Sequence, residues 1–178
     1  MKARAGVFVL VLLAGCAGTG PIVVPLPEKA TPVPPPTGRA CRVVVATVDD
    51  ERTNKDTLGA VDERPLHADG IREWVADRLA TLAPAEDNRV APDVATRIGI
   101  QQVFASSPTR TQIEAVVALT AMFSAADGRT SQRSYRGVAT RLNVMSRGTE
   151  FAAALNDALD TAVAQIAEDA LRLCPTRT

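Results

Sequence analysis

The chain has 178 residues, with 20 Lys and Arg against 20 Asp and Glu, so its formal net charge is zero. That length fits one domain with appendages, and the missing basic excess argues against a nucleic-acid partner. Three cysteines and one histidine, at positions 16, 41, 174 and 67, match no zinc-site spacing. The sequence also has no glycine-rich phosphate loop, which argues against nucleotide chemistry.

Residues 1–15 have the build of a secretory signal peptide. Lys2 and Arg4 form a positive start, and the apolar run that follows is too short to cross a bilayer, which takes about 20 residues. The next four residues resemble the lipobox of bacterial lipoproteins, in which cleavage precedes the cysteine and its sulfur takes a diacylglyceryl group: Leu13-Ala14-Gly15-Cys16. We therefore predict lipidation of Cys16. An ordinary secretory signal with an incidental cysteine is the alternative.

Lipidation would fix where the protein acts. Two or more acyl chains, such as palmitate, hold a protein durably on a membrane, whereas one chain binds reversibly. Ala17 follows the cysteine, and by resemblance to enterobacterial sorting this favours the periplasmic face of the outer membrane, with the inner membrane as the alternative. Because Lys2 and Arg4 leave with the signal, 18 basic residues remain against 20 acidic ones.

Residues 16–40 are predicted to be the lipidated cysteine and a tether. Seven of the twelve prolines lie between residues 17 and 40, and this density prevents helix and sheet and favours extended polyproline geometry. A ligand for a proline-recognition domain is the alternative. Residues 41–178 then form a single periplasmic α+β domain.

The elements of this domain are predicted in the order β-α-β-β-β-α, with two helices packed on one face of a mostly antiparallel sheet. The β-branched run over 41–48 predicts a central strand covered on both faces. A helix is expected over 70–82 with Asp69 as its cap, and a strand at about 94–104. Between the first strand and this helix, Pro65 makes continuous regular structure over 49–67 unlikely, which places His67 in a loop before the helix.

The second half of the domain has the clearest pattern. Alternate residues over 112–124 are apolar, and a turn sequence, Asp127-Gly128, joins them to a polar return strand over about 129–143. Because its polar residues indicate that one face of that strand is exposed to solvent, antiparallel pairing is favoured. Thr149 is expected to cap a last helix over 150–173, whose alanines allow close approach to the sheet.

Several segments, in order and spacing, are similar to those of a known family. They are 115–121, Ala126-Asp127-Gly128, Ser134-Tyr135-Arg136-Gly137, 151–159, 165–169, and Asp50-Glu51-Arg52-Thr53 with Leu58-Gly59. Together they resemble the YajG family of small bacterial lipoproteins. The resemblance implies an envelope lipoprotein with no established catalytic residues. More distantly, the architecture resembles the auxiliary lipoproteins of lipid-trafficking transporters and the lipopolysaccharide-assembly lipoprotein, which bind protein or lipid partners.

Cys41 and Cys174 are the two thiols left once Cys16 is lipidated. One opens the first strand, the other ends the last helix, and the periplasm is oxidising, so we predict a disulfide between them. It would close a loop of about 134 residues, which stabilises by about 4–5 kcal/mol in the chain-entropy model. Two buried, unpaired thiols are the alternative.

Five arginines on or beside the return strand form what we call the arginine stripe: Arg129, Arg133, Arg136, Arg141 and Arg147. Guanidinium groups suit the phosphates of lipid A or acidic phospholipids. The first four, together with Tyr135, are therefore candidate anion- or lipid-binding residues. The alternative is edge-strand protection, in which charges prevent one sheet from adding to another.

Two other groups of titratable residues, the acids after the first strand and His67, are not expected to be catalytic or metal-binding. Carboxylates at Asp49-Asp50-Glu51 could hold a cation or do acid–base work, but adjacent residues of an extended chain point apart, so a solvated turn with Arg52 as local partner is expected. A Ser-His-acid triad would have to use His67, and no Gly-x-Ser-x-Gly elbow accompanies it. We expect no catalytic residue, no metal and no cofactor apart from the lipid.

The sequence thus predicts a non-catalytic envelope lipoprotein, anchored in the membrane by its lipid, whose periplasmic domain binds an envelope protein. The second hypothesis is a lipid-handling accessory that contacts lipid A or phospholipid through the arginine stripe. Nucleic acid is a partner in neither.

Overall fold

The computed structural model describes residues 20–26, 42–82, 93–145 and 147–174. Within these ranges the strands and helices follow in chain order: β1 Ile22–Val23, β2 Val43–Asp50, β3 Ala60–Val61, β4 Arg64–His67, α1 Ile71–Ala80, β5 Val94–Thr109, β6 Gln112–Ala125, β7 Thr130–Leu142 and α2 Gly148–Arg172. No helix in these ranges is both long enough and apolar enough to cross a bilayer.

The larger sheet has the strand order β2-β5-β6-β7. β5, β6 and β7 pair antiparallel, whereas β2 runs parallel to β5. The parallel pair arises because α1 carries the chain back along the sheet between the two strands, as crossover connections do. The predicted α+β class and the order of the main elements are confirmed. The sheet is mixed rather than purely antiparallel.

Both helices cover one face of this sheet. The alternating residues of β6 on that face are fully buried, as predicted: Ile113, Ala115, Val117, Leu119, Ala121 and Phe123. α2 lies very close to β7, because a Cβ on Gly137 would come within 1.7 Å of the Ala158 carbonyl oxygen. The two helices contact each other where Trp74 Nε1 donates to Asn156 Oδ1 at 2.9 Å. The core therefore lies between the sheet and this helical layer.

β2 lies at an edge of the sheet, so the prediction of a central, doubly covered strand is wrong. β5 is its one partner among the described residues, and a bulge at Ala46 interrupts their register. Ala46 and Thr47 are exposed. A β-branched run fits an edge strand as well as a central one, because the run shows no sign of how many neighbours the strand acquires.

A second, smaller sheet of order β1-β4-β3 occupies segments that were predicted to be irregular. β1 pairs parallel with β4, and the Val24 amide donates to the His67 carbonyl at 2.7 Å. Ile22 and Val24 are buried in the core. The extended tether predicted for 16–40 therefore does not describe residues 20–26. The remainder, 16–19 and 27–40, lies outside the described residues.

The helix caps also differ from the prediction. Gly70, with φ 69°, precedes α1 in place of the expected Asp69, and Arg147 rather than Thr149 precedes α2. At α2 the Arg147 amide donates to Glu150 Oε2 at 3.0 Å. Sequence preference identified the correct turns, but the backbone of each turn decided which residue became the cap.

Candidate functional site

The arginine stripe lies on and beside β7, which is the other edge of the larger sheet. On the helix side of the sheet, Arg133 Nη1 donates to Asp169 Oδ2 at 3.0 Å and Arg141 Nη2 donates to Asp157 Oδ1 at 2.9 Å. Both acids belong to α2. The guanidinium groups therefore join the strand to the helix.

The remaining members of the stripe lie elsewhere. Arg129 donates to Asp127 Oδ2 at 2.6 Å within the β6–β7 turn, and Arg147 is the residue before α2. Arg136 is exposed on the sheet face that points away from the helices. The structure thus spreads the five arginines over two faces and two turns and does not bring them together as one cationic surface.

Tyr135, also a candidate binding residue, lies in the core. Its ring meets Phe123 edge-on with centroids 6.3 Å apart, and its hydroxyl donates to Asp169 Oδ2 at 2.9 Å. Burial, and next the bond to Asp169, raise the pKa of the phenol above its usual range. Tyr135 is therefore a neutral donor that satisfies a carboxylate between β7 and α2.

Of the three cysteines, Cys174 alone lies within the described residues. It is buried just beyond α2, with Sγ 3.5 Å from the Ala170 carbonyl oxygen. Cys16 and Cys41 lie outside the described residues, so both lipidation and the disulfide stay predictions.

The residues that neighbour Cys41 and Cys174 converge at one end of the sheet. The Arg42 amide donates to Asp93 Oδ2 at 2.8 Å, and the Asp93 carbonyl accepts the Ala126 amide at 2.9 Å. From the same turn, Arg129 Nη2 donates to the Leu173 carbonyl at 3.1 Å. A continuous set of hydrogen bonds therefore links the start of the domain to its last helix.

The turn after β2 is built on an ion pair whose arginine is buried. Asp50 accepts hydrogen bonds from Arg52 Nε at 2.9 Å and Nη2 at 2.8 Å, and Arg52 is only 6% exposed. The side-chain bond from Arg52 holds the pKa of the Asp50 carboxyl below its usual range. Arg52 is thus the local partner that was predicted, but it is buried while Asp50 is partly exposed, so the expectation of a solvated turn is wrong at Arg52.

The acids of this turn do not converge on a cation. Glu51 bonds instead to the side-chain amide of Gln101 on β5. No group of three or more potential metal ligands occurs in the part of the chain that the structure describes.

A groove of about 430 Å³ opens beside this turn, on the sheet face away from the helices. Polar residues of the turn line one side, and Gln102, Phe104 and Ala118 line the other. Arg52 borders the groove, and its buried Nη1 has no hydrogen-bond partner among the described residues. Sequence reasoning missed this groove because Arg52 and β5 are far apart in the chain.

A second groove, of about 600 Å³, follows the outer edge of β2. Residues 44–49 form one wall, and α1 forms the other with Ala76 and Ala80. Arg72 and Glu73, which are hydrogen-bonded to each other, add a charged border. No strand pairs with this edge within the described ranges. Two alanines spaced four residues apart on a short helix were the available sequence signal for a groove.

His67 lies in β4 rather than in the predicted loop, since residues 64–67 pair with β1 and β3. Pro65 is part of that strand, at a position where the small sheet tolerates a missing amide.

No known family model matches the chain, and no curated protein matches it. Among solved structures, the chain is similar to protein XCC0632 from Xanthomonas campestris, of the DUF330 family, with a TM-score of 0.56 and 14% identity over 85% of this chain and 94% of that one. A structure described as an uncharacterized protein gives a TM-score of 0.51 and 8% identity over 84% and 97%. These likenesses show a shared fold.

Lipoprotein GNA1162 from Neisseria meningitidis aligns with a TM-score of 0.30 and 12% identity over 72% of this chain and 99% of that one. At that level of similarity the alignment says nothing further about this chain.

Proposed function

We propose that the protein is a non-catalytic envelope lipoprotein whose periplasmic domain binds an envelope protein along the outer edge of β2. The observation that carries this proposal is that edge itself. It is apolar, it has no partner strand within the described ranges, and it borders a groove formed with α1.

An edge strand presents unpaired amides and carbonyls, and proteins usually guard such edges with charges. Residues 43–48 carry no charge, and the nearest charged residues in the chain are Arg42 before them and Asp49 after them. A partner segment in extended conformation would pair with this backbone, while its alternate side chains would enter the groove beside Ala76 and Ala80. The bulge at Ala46 limits the pairing to a short segment, which suits a reversible complex.

A photo-crosslinking amino acid in place of Thr47 tests this in intact cells. We expect a discrete covalent adduct with one protein. The same amino acid in place of Ser134, which is also exposed but lies on β7, is the control and should give much less. A second variant, Ala46→Lys with the crosslinker at Thr47, should lower the adduct yield. Equal yields from both strands would contradict the proposal.

Membrane attachment is the second part of the proposal. A lipid on Cys16 would hold the protein on the periplasmic face of the outer membrane. We propose the YajG family as the family to which the protein is related. Apart from this lipid, the proposal includes no cofactor, metal or catalytic residue. In Cys16→Ser cells the protein should move to the soluble periplasmic fraction, and mass spectrometry of the wild-type amino-terminal peptide should show acylation. An unmodified peptide would contradict it.

A disulfide between Cys41 and Cys174 is also proposed. The hydrogen bonds from Arg42 through Asp93 to the β6–β7 turn, and from that turn to Leu173, place the neighbours of both cysteines at one end of the sheet. Unfolded, unreduced protein with a lipidated amino terminus should contain no reactive thiol. Two reactive thiols per chain would show that the bridge is absent.

The groove beside Arg52 favours a second candidate function, a lipid-handling accessory that contacts lipid A or phospholipid. The groove places the Arg52 guanidinium, which has one nitrogen without a hydrogen-bond partner among the described residues, beside the exposed Phe104 ring, and this combination fits an amphiphile. Phe104→Glu should then remove co-purifying lipid, as measured by mass spectrometry. Met122→Glu is the matched control, since Met122 is 39% exposed against 38% for Phe104 and lies on the same face outside the groove.

A further inference from the structure

We infer that one end of the domain docks on the surface of the bilayer that holds its lipid anchor. That end, here called the apolar end, consists of four residues: Val23, Leu142, Val144 and Met145. The inference rests on the proposed lipidation of Cys16.

The exposure of these side chains is unusual. Val23 is 69% exposed, Leu142 78%, Val144 75% and Met145 61%, and no other large apolar side chain among the described residues exceeds 47%. Single exposed apolar residues need no explanation, but a group at one end of a domain marks a surface that contacts protein or membrane.

Backbone hydrogen bonds hold the apolar end in place. Glu150 accepts the amides of Val144, Met145 and Arg147 at 3.2, 3.2 and 3.0 Å. The Asn143 amide donates to the Thr111 carbonyl at 2.9 Å, which joins this loop to the β5–β6 turn. The loop is thus fixed with its apolar side chains outward.

β1, the first strand of the described residues, lies at the same end. The Val23 backbone packs against Gly148 so closely that a Cβ there would lie 1.9 Å from the Val23 carbonyl oxygen. Gly148 is the first residue of α2 and follows Met145 by three positions. The start of the domain is therefore attached beside the loop that carries Val144 and Met145.

The length of chain before β1 then sets the orientation. Cys16 precedes Val23 by seven residues, which span at most about 25 Å when fully extended. The opposite end of the sheet lies beyond the 13 residues of β7, about 40 Å away. The anchor therefore cannot let the domain turn freely, and the end nearest the membrane is the apolar end.

Two exposed arginines are connected to this loop. Arg147 follows Met145 by two positions, and Arg110 lies in the β5–β6 turn next to Thr111, whose carbonyl accepts the Asn143 amide. The carboxylate of Glu150, at the start of α2, is occupied by backbone amides. Arginines around apolar side chains suit an interface with anionic headgroups.

The full-length protein, expressed with its signal peptide, purified and reconstituted in vesicles of phosphatidylethanolamine and phosphatidylglycerol, tests the inference. With benzoylphenylalanine in place of Met145, irradiation should give covalent lipid adducts at about five times the yield obtained with the same amino acid in place of Thr130, at the far end of β7. In a Val144→Asp, Met145→Asp variant carrying the crosslinker in place of Leu142, the lipid adduct should fall by a similar factor. The exposed Val138→Asp should leave it unchanged.

Each outcome decides between the two proposals. If the chain does not float with the vesicles, lipidation is wrong and the docking surface is rejected with it. If the chain floats but both crosslinker positions give equal lipid adducts, the docking surface alone is wrong. Adducts from position 145 to a second copy of the protein would show that the apolar end is a contact between copies.

Discussion

The same short motif, an aspartate followed two residues later by an arginine, occurs at both edges of the larger sheet with opposite burial. At the end of β2, Asp50 and Arg52 form a buried pair, whereas in the turn before β7 both Asp127 and Arg129 are exposed. The two edge strands also differ in composition: β2 is mostly apolar, whereas β7 carries arginines.

The two edge strands differ in where their charged residues lie. β7 contacts α2 through the ion pairs of Arg133 and Arg141 and carries Arg136 toward solvent, and charges of this kind discourage pairing with a further strand. Residues 43–48 of β2 carry no charge, and its two carboxylates, Asp49 and Asp50, lie at its C-terminal end. This difference supports the proposal that an extended segment of a partner pairs with β2.

The largest effect is expected at β7. Gly137→Ala would place a Cβ 1.7 Å from the Ala158 carbonyl oxygen. Because the atoms nearest to this Cβ belong to the backbone of α2, the strand or the helix must shift. We expect a loss of about 3 kcal/mol in the free energy of unfolding, measured by chemical denaturation. Gly20→Ala is the control, because no atom lies within 4 Å of its added Cβ. Equal stability of the two variants would mean that α2 does not fix this edge.

The next effect is expected at the end of β2. Asp50→Asn leaves the buried Arg52 guanidinium without its counter-ion and should cost about 2 kcal/mol, less than for a fully buried pair because Asp50 is partly exposed. The pKa of Asp50 is lowered in the fold, so this stability is present above the ordinary aspartate pKa of about 4 and lost as pH falls below it. The difference between wild type and variant should therefore shrink in acid.

Asp127→Asn is the matched control, because its carboxylate bonds an arginine at the same spacing but in solvent. It should change the free energy of unfolding very little. If Asp127→Asn were as destabilising as Asp50→Asn, burial would not be what distinguishes the two edges.

A smaller effect is expected at Tyr135→Phe, which removes the hydroxyl that Asp169 accepts but keeps the packing on Phe123 and the ion pair to Arg133. The cost should be about 1 kcal/mol. Because the chain has one tyrosine, phenolate absorbance reports this residue alone. The pKa of Tyr135 is raised, so the absorbance should appear above about pH 10 only as the protein unfolds. Ionisation with the fold intact would contradict its place in the core.

Local patterns were enough to predict much of the fold. The alternation in β6, the Asp127-Gly128 turn and the long last helix each depend on residues close in the chain, and all three are found. The small sheet could not be predicted in this way, because Ile22 pairs with Leu66 across 44 positions and lies among prolines. The edge position of β2 likewise depends on which strands assemble beside it.

The candidate sites also separate into features that depend on neighbouring residues and features that depend on contacts between distant parts of the chain. Sequence composition located the arginines of β7, but their partners Asp157 and Asp169 lie on α2, and only the packing of helix on strand brings these charges together. Arg52 was identified as a partner for the acids of its turn because the contact is local. Its burial, and the groove beside it, arise from β5 and could not be inferred from the turn alone.

The smallest effect is expected at Arg141→Ala. Arg141 and Asp157 are 47% and 44% exposed, and ion pairs in solvent contribute little because water and salt screen them, so we expect a cost of no more than about 0.5 kcal/mol. A guard on an edge strand need not stabilise the fold, since its value lies in the association that it prevents. Arg136→Ala combined with Arg141→Ala should therefore leave the unfolding midpoint nearly unchanged while increasing self-association in sedimentation experiments. A variant that is strongly destabilised yet remains monomeric would reverse this interpretation, because β7 would then need its arginines for stability and not for protection.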